Sequence, residues 1–121
     1  MSLKGSRPRL LLVEDDRATY TALRGILNLR GWDVRVATSI SDARDALAER
    51  VDAVILDLML PDGAGEGLIA DVRGRFPGIP LAITTGLGDG ERIDAVERMG
   101  VTAVLRKPIT LAELLKVIGG A

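Results

Sequence analysis

A chain of 121 residues has room for one domain around one core, and its 16 Lys and Arg against 17 Asp and Glu leave a formal charge of -1, with no basic excess to neutralise a nucleic-acid backbone. Cys and His are both absent, which excludes disulfides, thiolate catalysis, Ser-His-Asp hydrolysis and every zinc site built on imidazole or sulfur. Hydrophobic residues make up 47% and aromatics 2%, so the core must be aliphatic.

In chain order, residues 1–8 are expected to form an N-terminal tail or linker, of which residues 1–3 are compatible with a cloning remnant, and residues 9–121 a single domain. The opening MSLKGSRPRL lacks the apolar centre of a signal peptide, and no later apolar run approaches the roughly 18 residues of a membrane span. A soluble, cytoplasmic protein is expected. Short apolar runs follow at 10–13, 34–37, 53–56, 81–83 and 103–105, each too short for a helix. They read as five strands. Apolarity without alternation suits strands covered on both faces of a parallel sheet, while Arg35, interrupting the second run, suits an edge.

Between the strands lie stripes of helical period. Tyr20, Leu23, Ile26 and Leu27 share a face behind Asp16 as cap, with Gly31 as the stop. Ile40, Ala43 and Leu47 repeat the pattern behind Ser39. Leu68, Ile69, Val72 and Phe76 form a third stripe before Pro77-Gly78, and Ile93, Val96 and Met99 a fourth before Gly100. Leu111, Leu114, Leu115 and Ile118 complete the set, with Thr110 and Glu113 spaced as a capping box and Gly119 as the stop. Five β-α repeats with right-handed crossovers predict an α/β, doubly wound parallel sheet.

In such a sheet ligands bind beyond the carboxyl ends of the strands. The first strand ends in Glu14-Asp15-Asp16, the third in Asp57, the fourth in Thr84-Thr85 and the fifth in Lys107-Pro108. Singly these have plainer readings: Asp16 as a helix cap, Asp57 as a turn former, Lys107 as a solvated lysine. Together they do not, because Glu14, Asp15 and Asp57 on facing loops repel at about 4 kcal/mol per pair for a separation of about 4 Å and an effective dielectric of about 20. A cation must offset that. Oxygen ligands without nitrogen or sulfur suit a hard ion, Mg²⁺ better than Ca²⁺ for a cage that keeps waters. Beside a hydroxyl and an ammonium this is equipment for phosphoryl transfer, with Asp57 as nucleophile, Thr85 as hydrogen-bond donor and Lys107 as point charge. With no histidine in the chain, a phosphohistidine donor must be another protein or domain.

The segments LLVEDD, VILDLMLPDG, AITTG and VLRKPIT, in that order and spacing, resemble the receiver domains of two-component response regulators over residues 9–118. The resemblance implies a flavodoxin-like (βα)5 sheet of strand order 2-1-3-4-5. It implies Asp57 as phosphoacceptor, Asp15 as a direct Mg²⁺ ligand, Glu14 as its water-mediated acidic partner, and the Met59 backbone carbonyl as a further ligand. Thr85 matches the hydroxyl that follows the phosphoryl group, Lys107 the family's lysine, and the Lys107-Pro108 bond would be cis. Its partners would be a histidine kinase or a histidine phosphotransfer domain, with no direct nucleic-acid or membrane contact.

Departures carry expectations too. Val104 stands where many receivers have an aromatic switch residue, so output must use the backbone of residues 85–90, rich in glycine, and the fourth helix. Thr102 and Ala103 replace a charged pattern tied to dimerisation, which leaves a monomer or weak dimer, either a stand-alone regulator or the receiver of a longer protein such as a hybrid kinase. Trp32 reads as packing. Two alternatives remain: a docking module that works without phosphorylation, and an aspartate-nucleophile phosphatase of the haloacid dehalogenase kind. The latter needs a second Asp two residues past the nucleophile, where Met59 stands.

Overall fold

The computed structural model describes residues 7–86 and 90–119. Among these, β1 (Arg9–Val13), α1 (Arg17–Leu29), β2 (Asp33–Ala37), α2 (Ile40–Ala46) and β3 (Ala53–Asp57) lead into a hairpin of two-residue strands, β4 (Met59–Leu60) and β5 (Gly63–Ala64). Then come α3 (Glu66–Arg75), β6 (Leu81–Thr85), α4 (Gly90–Glu97), β7 (Ala103–Arg106) and α5 (Leu111–Ile118). The five long strands pair in parallel in the order β2-β1-β3-β6-β7. This is the expected doubly wound order, with the small hairpin as an addition that no apolar run announces.

Helices cover both faces because strand side chains alternate. Leu10, Leu12, Ala53, Ile55 and Ala82 meet Leu27, Leu114 and Ile118 of α1 and α5, with Trp32 buried among them. Leu11, Val13, Val54, Leu56, Leu81 and Ile83 meet residues of α2, α3 and α4 on the other face. Every residue of β1 after Arg9, and all of β3 and β6, is buried. β2 alternates between exposed and half-covered up to Val36 and is buried only at Ala37, as Arg35 suggests for an edge. The unbroken apolar run at 103–105 looks equally central, yet β7 is the opposite edge and only half-covered.

The helix ends follow the capping residues. Asp16 accepts the Thr19 N–H at 3.0 Å, Ser39 the Asp42 N–H at 3.0 Å and Thr110 the Glu113 N–H at 3.1 Å, each satisfying an amide that the first turn cannot pair. Asp62, in the turn of the hairpin, accepts the Ile40 and Ser41 amides at 2.8 and 3.2 Å and so tethers the loop after β3 to the start of α2. These bonds, the Ile40 amide foremost, hold the Asp62 carboxyl below its usual range.

Some stripe positions differ from expectation. Ile26 and Met99 are 38% and 36% exposed, lying at the margin of stripes whose centres, Leu27 and Val96, are sealed. Leu47 lies just past the end of α2 and is buried nonetheless. Of the stretch expected as a tail, Arg7 hydrogen-bonds the carbonyls of Asn28, Gly31 and Trp32 at 2.7, 3.1 and 2.9 Å, and the Pro8 carbonyl accepts the Asp33 amide. The expected output loop falls partly on residues 87–89, outside the described residues. Val104 packs against the core formed with α2, α3 and α4.

Ile55, 1% exposed in the central strand, is expected to lose about 2–5 kcal/mol of stability as Ile55→Ala. The check is a lower urea midpoint with an unchanged slope.

Candidate functional site

The topology brings the ends of β1, β3, β6 and β7 to one edge. β1 and β3 are adjacent and β3 pairs with β6 so that Asp57 faces Thr84. The chain leaves β7 at Lys107, whose amide donates to the Thr85 carbonyl at 2.8 Å. Lys107-Pro108 is cis.

From there the Lys107 ammonium reaches back to two acids, at 2.7 Å from Asp57 Oδ2 and 3.2 Å from Glu14 Oε1. Glu14 and Asp57 are 3% and 4% exposed, whereas Asp15 beside them faces solvent. Carboxylate oxygens of Glu14, Asp15 and Asp57 lie within 4.8 Å of one another. Burial raises the Glu14 pKa, the Asp16 N–H at 3.0 Å opposes this, and the nearby Asp57 charge adds to the rise while Lys107 works against it. The net direction is upward. For Lys107 burial pulls the pKa down, but the hydrogen bond and charge of Asp57, joined by those of Glu14, outweigh it and hold the ammonium above its ordinary value. The lysine is therefore charged across the physiological range, and two carboxylates share one cation.

Asp57 is oriented from the opposite side as well. Its Oδ1 accepts the Met59 amide at 3.0 Å. The intervening Leu58 donates to the Thr84 carbonyl at 3.1 Å and accepts from the Gly65 amide at 3.0 Å. A Cβ on Gly65 would meet the Asp57 carbonyl oxygen at 3.1 Å and Leu58 Cα at 3.3 Å, so this close approach of two backbones calls for glycine. Thr85 is fully buried at the end of β6, and Thr84, also buried, lines a cleft of about 280 Å³ with Glu14, Thr19, Leu23 and Lys107.

Glu14, Asp15, Asp57 and Lys107 thus meet at one rim, with Met59 and Thr85 on the adjoining segments. Asp16 is a helix cap and stays out of the acidic group. The sequence reading missed Glu66 and Arg92. The Arg92 guanidinium grips Glu66 at 2.6 and 2.8 Å and also reaches the Leu58 carbonyl and Met59 Sδ, both at 3.3 Å. These residues stand 26 apart in the chain, and no local pattern links them. The acidic group fits a hard cation, since its donors are all oxygen and its buried members repel one another.

The family model for the response regulator receiver domain matches residues 10–119. Response regulator MprA of Mycobacterium tuberculosis is 35% identical over 109 residues, covering 88% of this chain and 47% of its own length. The photosynthetic apparatus regulatory protein RegA of Rhodobacter capsulatus is 34% identical over 105 residues, covering 86% and 57%. The chain thus spans about half the length of these curated relatives. Among solved structures, the BeF3-activated N-terminal receiver domain of Klebsiella pneumoniae RstA is similar with a TM-score of 0.80 and 31% identity, covering 89% of this chain and 92% of that one.

Without Lys107 the two buried carboxylates lose their shared cation. Lys107→Ala is expected to lower stability by about 1–3 kcal/mol in divalent-free buffer, less than for a fully buried pair because the ammonium is partly solvated. Adding Mg²⁺ should recover most of the loss. Urea titrations with chelator and with Mg²⁺ check this, and equal midpoints for the variant and the parent in chelator would contradict the account.

Proposed function

The chain belongs to the response regulator receiver domain family, and from that premise we propose that Asp57 is its phosphoacceptor, taking a phosphoryl group from a phosphohistidine on a histidine kinase or histidine phosphotransfer domain. The observation that carries this reading is the Lys107 ammonium 2.7 Å from an otherwise buried Asp57 carboxylate, inside a rim that also holds Glu14 and Asp15.

In the transfer an Asp57 carboxylate oxygen attacks phosphorus, an O–P bond forms, and the N–P bond to the imidazole breaks with its electron pair returning to the nitrogen. The product is an acyl phosphate. Asp57 is preset for this role because the Met59 amide fixes one oxygen and Lys107 the other. The Lys107 charge offsets the negative charge that arrives with the phosphoryl group, and the Thr85 hydroxyl is assigned one of its oxygens as an acceptor. Glu14, Asp15, Asp57 and the Met59 carbonyl would hold Mg²⁺. Bound there, the ion supplies charge compensation and orients phosphoryl oxygens.

The domain acts in this reading as a switch rather than a turnover enzyme, although the same groups would catalyse its own phosphorylation and dephosphorylation. The phosphatase alternative lacks a proton donor at Met59. A docking module has no use for a complete set of acidic, hydroxyl and ammonium groups. Among the described residues no helix is long and apolar enough to cross a membrane.

Asp57→Asn keeps the shape and removes the nucleophilic charge. With Mg²⁺ and acetyl phosphate, intact mass should give one added phosphoryl group for the parent and none for the variant. Stoichiometric labelling of Asp57→Asn would remove Asp57 from this role.

A further inference from the structure

The segment that follows Asp57 is held by the backbone bonds of Leu58 and by the β4–β5 pairing, and a side chain from α4 reaches it as well. Leu58 is tied to β6 through its amide and to Gly65 through its carbonyl. The same carbonyl accepts Arg92 Nη2 at 3.3 Å, and Arg92 Nη1 lies 3.3 Å from Met59 Sδ. Arg92 belongs to the first turn of α4, while Glu66, which fixes the guanidinium through Nε and Nη2 at 2.6 and 2.8 Å, is the first residue of α3.

A planar guanidinium gripped along one edge by a carboxylate has little freedom left, and its remaining donor directions are set by the fork. Both partners are mostly covered, at 21% and 31% side-chain exposure, so the pair is less screened than an ordinary surface ion pair. Arg92 holds Glu66 in its charged form, its hydrogen bond being the first cause of a lowered carboxyl pKa. A fixed fork therefore bears on the two residues directly after Asp57. One of them, Met59, supplies the amide that orients Asp57 Oδ1.

We propose that Arg92, locked by Glu66, is a positioning residue for phosphoryl transfer: it holds the Leu58–Met59 segment so that the Met59 amide keeps the Asp57 carboxylate aimed at the incoming phosphorus. The inference rests on Asp57 as phosphoacceptor. It assigns Arg92 no contact with the donor, and its effect passes through the Leu58 carbonyl and Met59. Attack geometry is sensitive to displacements of about 1 Å, which cost up to roughly 100-fold in rate. Because the backbone bonds of Leu58 and the β4–β5 pairing also restrain the segment, losing the clamp should cost roughly three- to tenfold.

The test uses acetyl phosphate with saturating Mg²⁺. In this reaction the O–P bond to acetate breaks, acetate leaves with the electron pair, and the Asp57 O–P bond forms. Initial labelling rates across donor concentrations would be measured for the parent, Arg92→Ala, Arg92→Lys, Glu66→Gln and the Arg92→Ala/Glu66→Gln double variant, with circular dichroism to verify the fold. The expected result is a lower maximal rate in each variant at an unchanged half-saturating donor concentration, and a double variant no slower than Arg92→Ala, because the two residues act as one unit. Arg92→Lys should remain slow, since a point charge cannot reproduce the fork and its two further contacts.

Maximal rates equal to the parent's in Arg92→Ala and Glu66→Gln would overturn the proposal. So would full rescue by Arg92→Lys, which would reduce the role to neutralising Glu66, or a loss confined to the half-saturating concentration, which would mean donor contact. Failure of the parent itself to take up a phosphoryl group would instead sink the assignment of Asp57.

Discussion

Two carboxylates removed from water and held near each other are costly for any fold, and here a single ammonium makes the arrangement tenable. Lys107 lies within hydrogen-bond reach of both Glu14 and Asp57, so the attraction it gains from each opposes the repulsion between them. The balance is incomplete: Asp15 adds a third acid at the rim, and the raised Glu14 pKa registers the remaining strain of burial. A site with that residual negative charge favours a hard cation. In the proposed transfer, the negative charge that a phosphoryl group would bring to Asp57 would fall on the same ammonium and beside the same acidic group.

The sheet is what permits so short-range an interaction between residues so distant in sequence. Lys107 and Glu14 stand 93 positions apart and Lys107 and Asp57 50. Parallel strands in the order β2-β1-β3-β6-β7 put every carboxyl end on one side, and the tightly buried β1, β3 and β6 give their ends a rigid base. The loop after β3 is then secured from several directions. Asp62 ties it to α2, Gly65 allows a backbone to pass directly over Asp57, and Arg92 grips it from α4. The loop after Asp57 is thereby joined to α2 and α4.

Much of this was legible from residue order alone. Short apolar runs separated by helical stripes identify the α/β repeat, because a strand covered on both faces has no need of polar alternation, and β1, β3 and β6 are covered in that way. Asp16, Ser39 and Thr110 announce three helix starts, since capping is settled within four residues. The four segments ending in Glu14-Asp15, Asp57, Thr85 and Lys107 pointed to one rim through the rule that parallel strands share a direction. The resemblance to receiver domains supplied the strand order and the cis Lys107-Pro108 bond, neither of which local pattern contains.

Tertiary structure alone decided the rest. The apolar run of β7 looks like that of a central strand, but its place at an edge depends on which neighbours are absent, a property no residue encodes by itself. Ile26 and Met99 satisfy the helical period yet stay exposed, because period sets direction and only the packed neighbours set coverage. The Arg92–Glu66 fork and the Asp62 tether join charged residues across different elements, and such pairs arise from the separation of side chains in space. Sequence determined which groups were available and along which edge they would gather; the fold decided their distances, and distance governs whether charges bind, repel or position a reaction.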